Sequence, residues 1–284
     1  MGGGRAATLH AEATRAAGGC ELVGVGGRPG SATALAAALD VPDLSLNEFT
    51  KQADGLVLAI PAPAAATVIT ALPSGFPILV ESPVPPGVDA GHRAVAAVNL
   101  LHATAVKKAL RAIADLGPVH HLTLRGRATR RDGAVNIFAE PFAGAWPVLL
   151  AAAGTPASSI SATRTESSAT ASIDLADGRR LTATLEWVDP GEASLTEIEA
   201  ASQSGVVNCA LWPVPVLEID GRSQTSPDDH PLVSLGFVEQ IRRFATVCSG
   251  HSEPWPALAV GLGVTALADA AERSAARAGD PVEV

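Results

Sequence analysis

Apolar residues follow two rhythms along this chain, and the change from one to the other divides it. Over residues 5–17 alanine and leucine recur at helical spacing. The run ELVGVG at 21–26 is a short apolar stretch closed by glycines, the pattern of a strand buried on both faces. Residues 31–39 return to helical spacing. A second buried strand is predicted at 54–60, closed by Pro61, then a helix at 64–72 and a third strand at 77–81, closed by Ser82-Pro83. Residues 94–115 read as one connecting helix. Strands and helices alternating at this interval predict right-handed crossovers and a parallel sheet with both faces covered.

Beyond Gly117-Pro118 the strands follow one another directly, at 120–127, 158–165, 169–175, 181–187, 195–200 and 214–219, with turns such as Asp177-Gly178 and Asp220-Gly221. Helices fit 144–153, 235–248 and 256–276. The predicted organisation is an α/β first domain over 1–117, an incomplete Rossmann-like doubly wound parallel sheet. An α+β domain with a large, mostly antiparallel sheet follows over 118–284.

Gly2, Gly4 and Ala7 set the spacing G-x-G-x-x-A at the start of the first helix. Such a loop binds a dinucleotide because glycines let the backbone approach the pyrophosphate, and the first N–H groups of the helix point at its charge. The strand that should lead into it is missing from the sequence. In the doubly wound order that strand is central, so its loss leaves two facing edges with about ten unpaired backbone groups. At about 1–3 kcal/mol each, the penalty rivals a domain's net stability of about 5–15 kcal/mol. Three arrangements would relieve it: a chain that starts upstream of Met1, a strand donated by a partner, or a rearranged sheet without a dinucleotide site. The first is expected.

Composition narrows the chemistry. An apolar content of 47% with only 17% charged residues suits a globular chain with room for two cores. No charged-then-apolar leader and no long uncharged apolar run stand in the sequence, so the expectation is a cytoplasmic protein that does not enter a membrane. Cys20, Cys209 and Cys248 lie far apart and have neither disulfide nor metal-ligand spacing. A net charge of -9, spread along the chain, argues against nucleic-acid binding. Lysine is confined to Lys51, Lys107 and Lys108, and tyrosine is absent, which limits the possible proton donors.

The ordered set of motifs resembles the Gfo/Idh/MocA oxidoreductases. It comprises the glycine loop with Leu9-His10, "ELVGV", "ADGLVLAIPAP", "GFPILVESPV", "LGPVHHLTLRGR" opening the second domain, and the tail "AERSAARAGDPVEV". The resemblance spans essentially the whole chain. It implies an NAD(P)-binding domain followed by a mixed-sheet domain, a sugar-like or polyol substrate, and a homo-oligomer formed through the second-domain sheet. It also implies residues that this chain lacks. The family's E-K-P is here Glu81-Ser82-Pro83, a serine in place of the lysine that steers hydride transfer. Where an aspartate and histidine are expected, Glu140 and Gly144 stand, and the histidine expected after Pro61 is Ala65.

The candidate catalytic residues are therefore Glu81, Ser82, Glu140 and His102, and the candidate cofactor contacts are Gly2, Gly4, Ala7, Arg28, Pro61 and Glu81. Arg28 stands where NAD-preferring folds place an acid, which favours NADP over NAD. It also reads as a solvated turn residue. His10 touches the cofactor or packs within its helix, and Lys107 and Lys108 read as a solvated helix face. His120 and His121 point to opposite faces of a strand. His92, His230 and His251 lie in loop-like sequence. Trp146, Trp187, Trp212 and Trp255 read as core or interface anchors, and no spacing supports a metal. The expected function is an NAD(P)-dependent oxidoreductase with an altered catalytic centre. The alternative is an inactive relative that binds nucleotide or sugar as a sensor, a regulator or the partner of an active paralogue.

Overall fold

The computed structural model describes residues 1–86, 88, 93–130, 136–139, 142–224 and 230–284. They form two compact units, one of Met1–Asn99 with Gly236–Leu262 and one of Leu100–Leu235 with Gly263–Val284.

The first unit opens with α1 (Arg5–Ala16), α2 (Ser31–Leu39) and α3 (Leu46–Gln52), followed by β1 (Leu56–Leu58), α4 (Ala62–Ala71), β2 (Ile78–Glu81) and β3 (Ala94–Ala97). The three strands are parallel, with Leu56 opposite Ile78 and Ile78 opposite Ala94. Leu56, Leu58, Ile78 and Val80 build the core with Phe49, Ile69 and Leu72. The short helix α3 escapes periodicity, yet Ser45 and Glu48 announce it. The Ser45 hydroxyl accepts the Glu48 N–H while the Glu48 carboxylate accepts the Ser45 N–H at 2.8 Å, a capping box that satisfies two orphan donors.

The single helix expected over 94–115 is overturned. Residues 94–97 are β3, Asn99–His102 is a 3-10 turn, and only α5 (Thr104–Asp115) is helical in the remainder. All four β3 residues are buried, and their small side chains let residues 256–261 cross close by. Ala96 N–H donates to Pro256 O at 3.1 Å, and a Cβ on Gly261 would lie 3.2 Å from that of Ala96. Burial at the sheet overrides the helix preference of an alanine-rich segment.

Residues 21–24 are extended but pair with nothing in a ladder. Only Val25 is tied in: its N–H donates to Pro42 O at 3.0 Å and its carbonyl accepts Leu44 N–H at 2.6 Å. Between this segment and β1 lie Met1 and Gly2. Gly2 N–H donates to Gly26 O at 2.8 Å, Ala59 N–H donates to Met1 O at 2.9 Å, and the Met1 amino group donates to Val57 O. Met1 and Gly2 thus form a rung bonded on both sides. Behind that rung a cavity of about 810 Å³ runs between residues 21–25 and 55–57.

In the second unit the strands are β4 (His121–Thr129), β5 (Ala157–Arg164), β6 (Ser168–Leu175), β7 (Arg180–Val188), β8 (Leu195–Ser202), β9 (Gly205–Trp212), β10 (Val216–Ile219), β11 (Arg222–Ser223) and β12 (Val282–Glu283). They lie in the order β11-β10-β9-β8-β4-β7-β6-β5-β12, antiparallel except for the β4–β7 pair. Leu124, Leu181, Leu185, Ile173 and Ile160 alternate inward, and α5 and α6 (Trp146–Ala153) pack on β9, β10 and β4. Gly126 makes room for the Phe142 ring, which a Cβ would strike. Fully buried Trp146 donates its indole N–H to Phe138 O at 2.6 Å. The remaining helices are α7 (Pro231–Ser234), α8 (Phe237–Cys248) and α9 (Leu258–Ala275). Helix α8 returns to the first unit, where the Arg242 guanidinium donates to Ala17 O at 2.7 Å. No described helix is long and apolar enough to cross a membrane.

Burial pushes the Cys209 thiol up to about 12, and burial reinforced by nearby Asp54 does the same at Cys248. Only the thiolate attacks an alkylating reagent. At pH 8 both are expected to react at least a hundredfold more slowly with iodoacetamide than a free cysteine, a difference read by peptide mass spectrometry.

Candidate functional site

The glycine loop lies at the carboxyl ends of the parallel strands, because Met1 and Gly2 are bonded to Gly26 and Ala59. Each position of the motif has its own constraint. Gly2 has φ +138°, and a Cβ there would collide with the Ala59 carbonyl oxygen. At Gly4, the N-cap of α1, no atom lies within 4 Å of where a Cβ would sit. Ala7 packs its methyl 3.1 Å from the Cβ position of Gly2. The backbone is pinned at Gly2, open to approach at Gly4 and closely packed at Ala7. Gly3, outside the motif, is as constrained as Gly2, because the backbone of Ser31 and Ala32 at the start of α2 passes against it; only the fold reveals this.

No side chain caps α1, so its first turn is available to an anion, which the helix dipole favours. The donors and the open approach at Gly4 fit a pyrophosphate. Arg28 is exposed beyond Gly26-Gly27, and its side chain makes no hydrogen bond or ion pair among the described residues. Pro61 is exposed at the N-cap of α4.

Glu81 ends β2, and its carboxylate meets His10 Nε2 at 2.6 Å. His10 is 2% exposed, presents its ring edge to Phe237 with centroids 5.4 Å apart, and has no hydrogen-bond partner at Nδ1. The two candidates, read separately in the sequence, thus form one pair joining α1 to β2. Glu81→Ala would leave a buried imidazole with neither nitrogen bonded. A loss of about 1–3 kcal/mol is expected in denaturant unfolding, most of it restored in Glu81→Gln, which keeps an acceptor.

Ser82 follows, half-buried, before a cis bond to Pro83. His102 is buried at the end of the 3-10 turn and belongs to the second unit. Glu140 and His92 lie outside the described residues. Gly144 ends a 3-10 turn, and a Cβ there would be 3.7 Å from Leu100 Cδ1, an ordinary contact. Packing therefore does not forbid a side chain where the resemblance expects histidine. Lys107 is half-buried and Lys108 exposed on α5, His120 is exposed before β4, and His121 meets Thr123 Oγ1 at 2.6 Å. No cluster of three metal-ligating side chains exists among the described residues.

No family model matches the chain, and no curated protein sequence matches it. Solved structures do. The GenD2 enzyme of gentamicin A biosynthesis, in complex with NAD, superposes with a TM-score of 0.80 at 21% identity over 100% of this chain and 94% of that one. A myo-inositol dehydrogenase from Corynebacterium glutamicum gives 0.79 at 16% identity over 100% and 97%. The WlbA dehydrogenase of Bordetella pertussis, in complex with NADH and UDP-GlcNAcA, gives 0.77 at 21% identity over 100% and 97%. The fold is that of the Gfo/Idh/MocA-type dehydrogenases. Within a Gfo/Idh/MocA-type fold the glycine loop is anchored by the bonds of Met1 and Gly2 to both neighbouring segments.

Proposed function

We propose that the first unit binds a nicotinamide dinucleotide with its pyrophosphate over Gly2–Gly4, and that the protein is an oxidoreductase of a small sugar-like, polyol or carbonyl substrate with a remodelled centre. The observation that carries this reading is the pinned Gly2 beside the open approach at Gly4, at the uncapped start of α1. GenD2 and WlbA, similar in fold, hold NAD and NADH, which supports the same cofactor class here. A preference for NADP rests on Arg28 alone.

When bound, the nicotinamide donates or accepts a hydride; the accompanying proton must be handled by the chain or by water. Ser82 can orient a reacting oxygen by a hydrogen bond but cannot act as a general acid at neutral pH. The titratable pair beside it is Glu81–His10. Its carboxylate fixes one nitrogen of the imidazole ring. In this reading the pair positions the end of β2. Losing a positioned proton-transfer group costs about 10²- to 10⁴-fold in rate, so turnover is expected to be slow.

The absence of the usual lysine and histidine favours a second reading, a non-catalytic sensor or partner of an active paralogue. Titrating NADH and NADPH by fluorescence, then assaying polyols, sugars and ketones, separates the two. Binding with turnover supports the enzyme, binding without turnover the sensor, and no binding of either nucleotide rejects the enzyme. We place the protein in the cytoplasm as a homo-oligomer through the exposed face of the second sheet, which carries Arg125 with Glu197 and Arg127 with Glu186 and Glu192. Sedimentation velocity tests that assembly.

A further inference from the structure

We propose that Gln240 clamps two of the three places where the chain passes between the units into one piece, and that the third passage, at Gly263, is the one that bends. The passages are Asn99 to Leu100, Leu235 to Gly236 and Leu262 to Gly263. Gln240 stands one turn into α8 and is 1% exposed. Its backbone N–H donates to Gly236 O at 2.9 Å, just past the second passage. With its amide oxygen turned toward the end of β3, its side chain accepts Val98 N–H at 2.8 Å and Asn99 N–H at 3.1 Å, just before the first passage.

The residue type fits this task. β3 ends at Ala97, and the backbone then turns into the 3-10 segment Asn99–His102, aiming two successive N–H groups at one point. Val98 N–H is shared with Ala96 O at 3.0 Å. A carboxamide oxygen has two lone pairs and accepts both groups at once, without the charge that burial penalises. All four residues of this contact, with Gly236, belong to the first unit.

The same turn of α8 braces the neighbouring strand. Phe237, three residues before Gln240, meets the ring of His10, whose Nε2 is bonded to Glu81, and Glu81 lies opposite Ala97 in the β2–β3 register. One helical turn thus holds the carboxyl ends of β2 and β3 and anchors both passages. The third passage is built otherwise, for it falls inside α9, beside Gly261 and Gly263. A Cβ on Gly261 would strike Val84 and crowd Ala96, so packing requires that glycine; at Gly263, among the described residues, nothing lies within 4 Å of the Cβ position. A helix-interior glycine that packing does not require keeps backbone freedom which alanine would remove. Two passages fixed together and one softened are the parts of a hinge. The proposal does not depend on the cofactor, so failure to bind nucleotide leaves it standing.

The test is native-state hydrogen exchange of the 284-residue chain, followed by NMR over a series of low urea concentrations. Groups that open as one piece share one protection and one dependence on urea. The expected result is that the amides of Asn99, Gln240 and Ile241 agree within a factor of about three and follow urea alike, while those of Leu262, Gly263 and Val264 exchange about tenfold faster or more. Gln240→Met keeps the size and drops the amide oxygen, and is expected to speed exchange about tenfold at both Asn99 and Ile241 while α2 and β5 to β9 stay as they were. Gly263→Ala is expected to slow exchange at Leu262 and Val264. Separate opening of Asn99 and Ile241 in the unmodified chain, or equal protection around Gly263, overturns the proposal even if the Gln240→Met protein does not fold. Acceleration at Asn99 alone in that variant would reduce the contact to a local bond and overturn the clamp, and unchanged exchange in Gly263→Ala would overturn the soft passage.

Discussion

Replacing Gly2 by valine is expected to destabilise the chain by about 3–5 kcal/mol and to abolish nucleotide binding. A side chain at φ +138° costs about 1–3 kcal/mol by itself. Its Cβ would also run into the Ala59 carbonyl, so the loop must move away from the segment after β1. That movement breaks the bonds from Gly2 to Gly26 and from Ala59 to Met1, worth about 1 kcal/mol each. The sum is a large part of a domain's stability of about 5–15 kcal/mol. Gly4→Ala is the contrast. With φ -96° and open space around it, the methyl should shift stability by no more than about 0.5 kcal/mol while crowding the approach of the phosphates. Urea unfolding and NADH titration of both variants check this; a Gly2→Val protein as stable as its parent would show that the loop is not pinned.

Stability should climb between pH 5 and pH 8 in a chain whose amino group is the free amine of Met1. Burial holds that amine down at about 5 from an ordinary value of 8.0. Across this interval the folded amine is neutral while the unfolded one is protonated, so unfolding takes up a proton. The contribution is complete above pH 8 and lost as pH falls through 8 toward 5, by up to about 1.4 kcal/mol per pH unit and about 4 kcal/mol in all. His10, Glu21 and Asp54 line the same cavity, so the amine is isolated by comparing free and N-acetylated protein. Denaturant midpoints at pH 5, 6.5 and 8 should lose this component of slope on acetylation. A slope that acetylation leaves untouched would assign the effect to another group.

The elements that announce themselves locally were legible in the sequence. The helix bounds of α2 and the strand closing at Glu81 follow from apolar period and from punctuation by glycine and proline. What escaped depends on distant chain. Alanines at 94–97 look helical until β2 and residues 256–261 bury them, and β9 runs through Asn208 and Ala210, which are weak strand formers. At the site, Glu81 and the glycine loop stood out by type and spacing. The pairing of Glu81 with His10 did not, because 71 residues separate them and an imidazole on a helix is equally at home in a core. Arg28 illustrates the converse, a position conspicuous in sequence whose side chain has no hydrogen-bond or ion-pair partner among the described residues to define its use.

The first unit is assembled from two stretches of chain, Met1–Asn99 and Gly236–Leu262, and this has a consequence for biosynthesis. On the ribosome the parallel sheet and α1 emerge long before α8, so Ala17 O and the ring of His10 wait for Arg242 and Phe237 while β4 to β11 of the second sheet are translated. Vectorial folding of this unit cannot finish domain by domain; it completes only after residues 236–262 have followed β4 to β11 out of the ribosome.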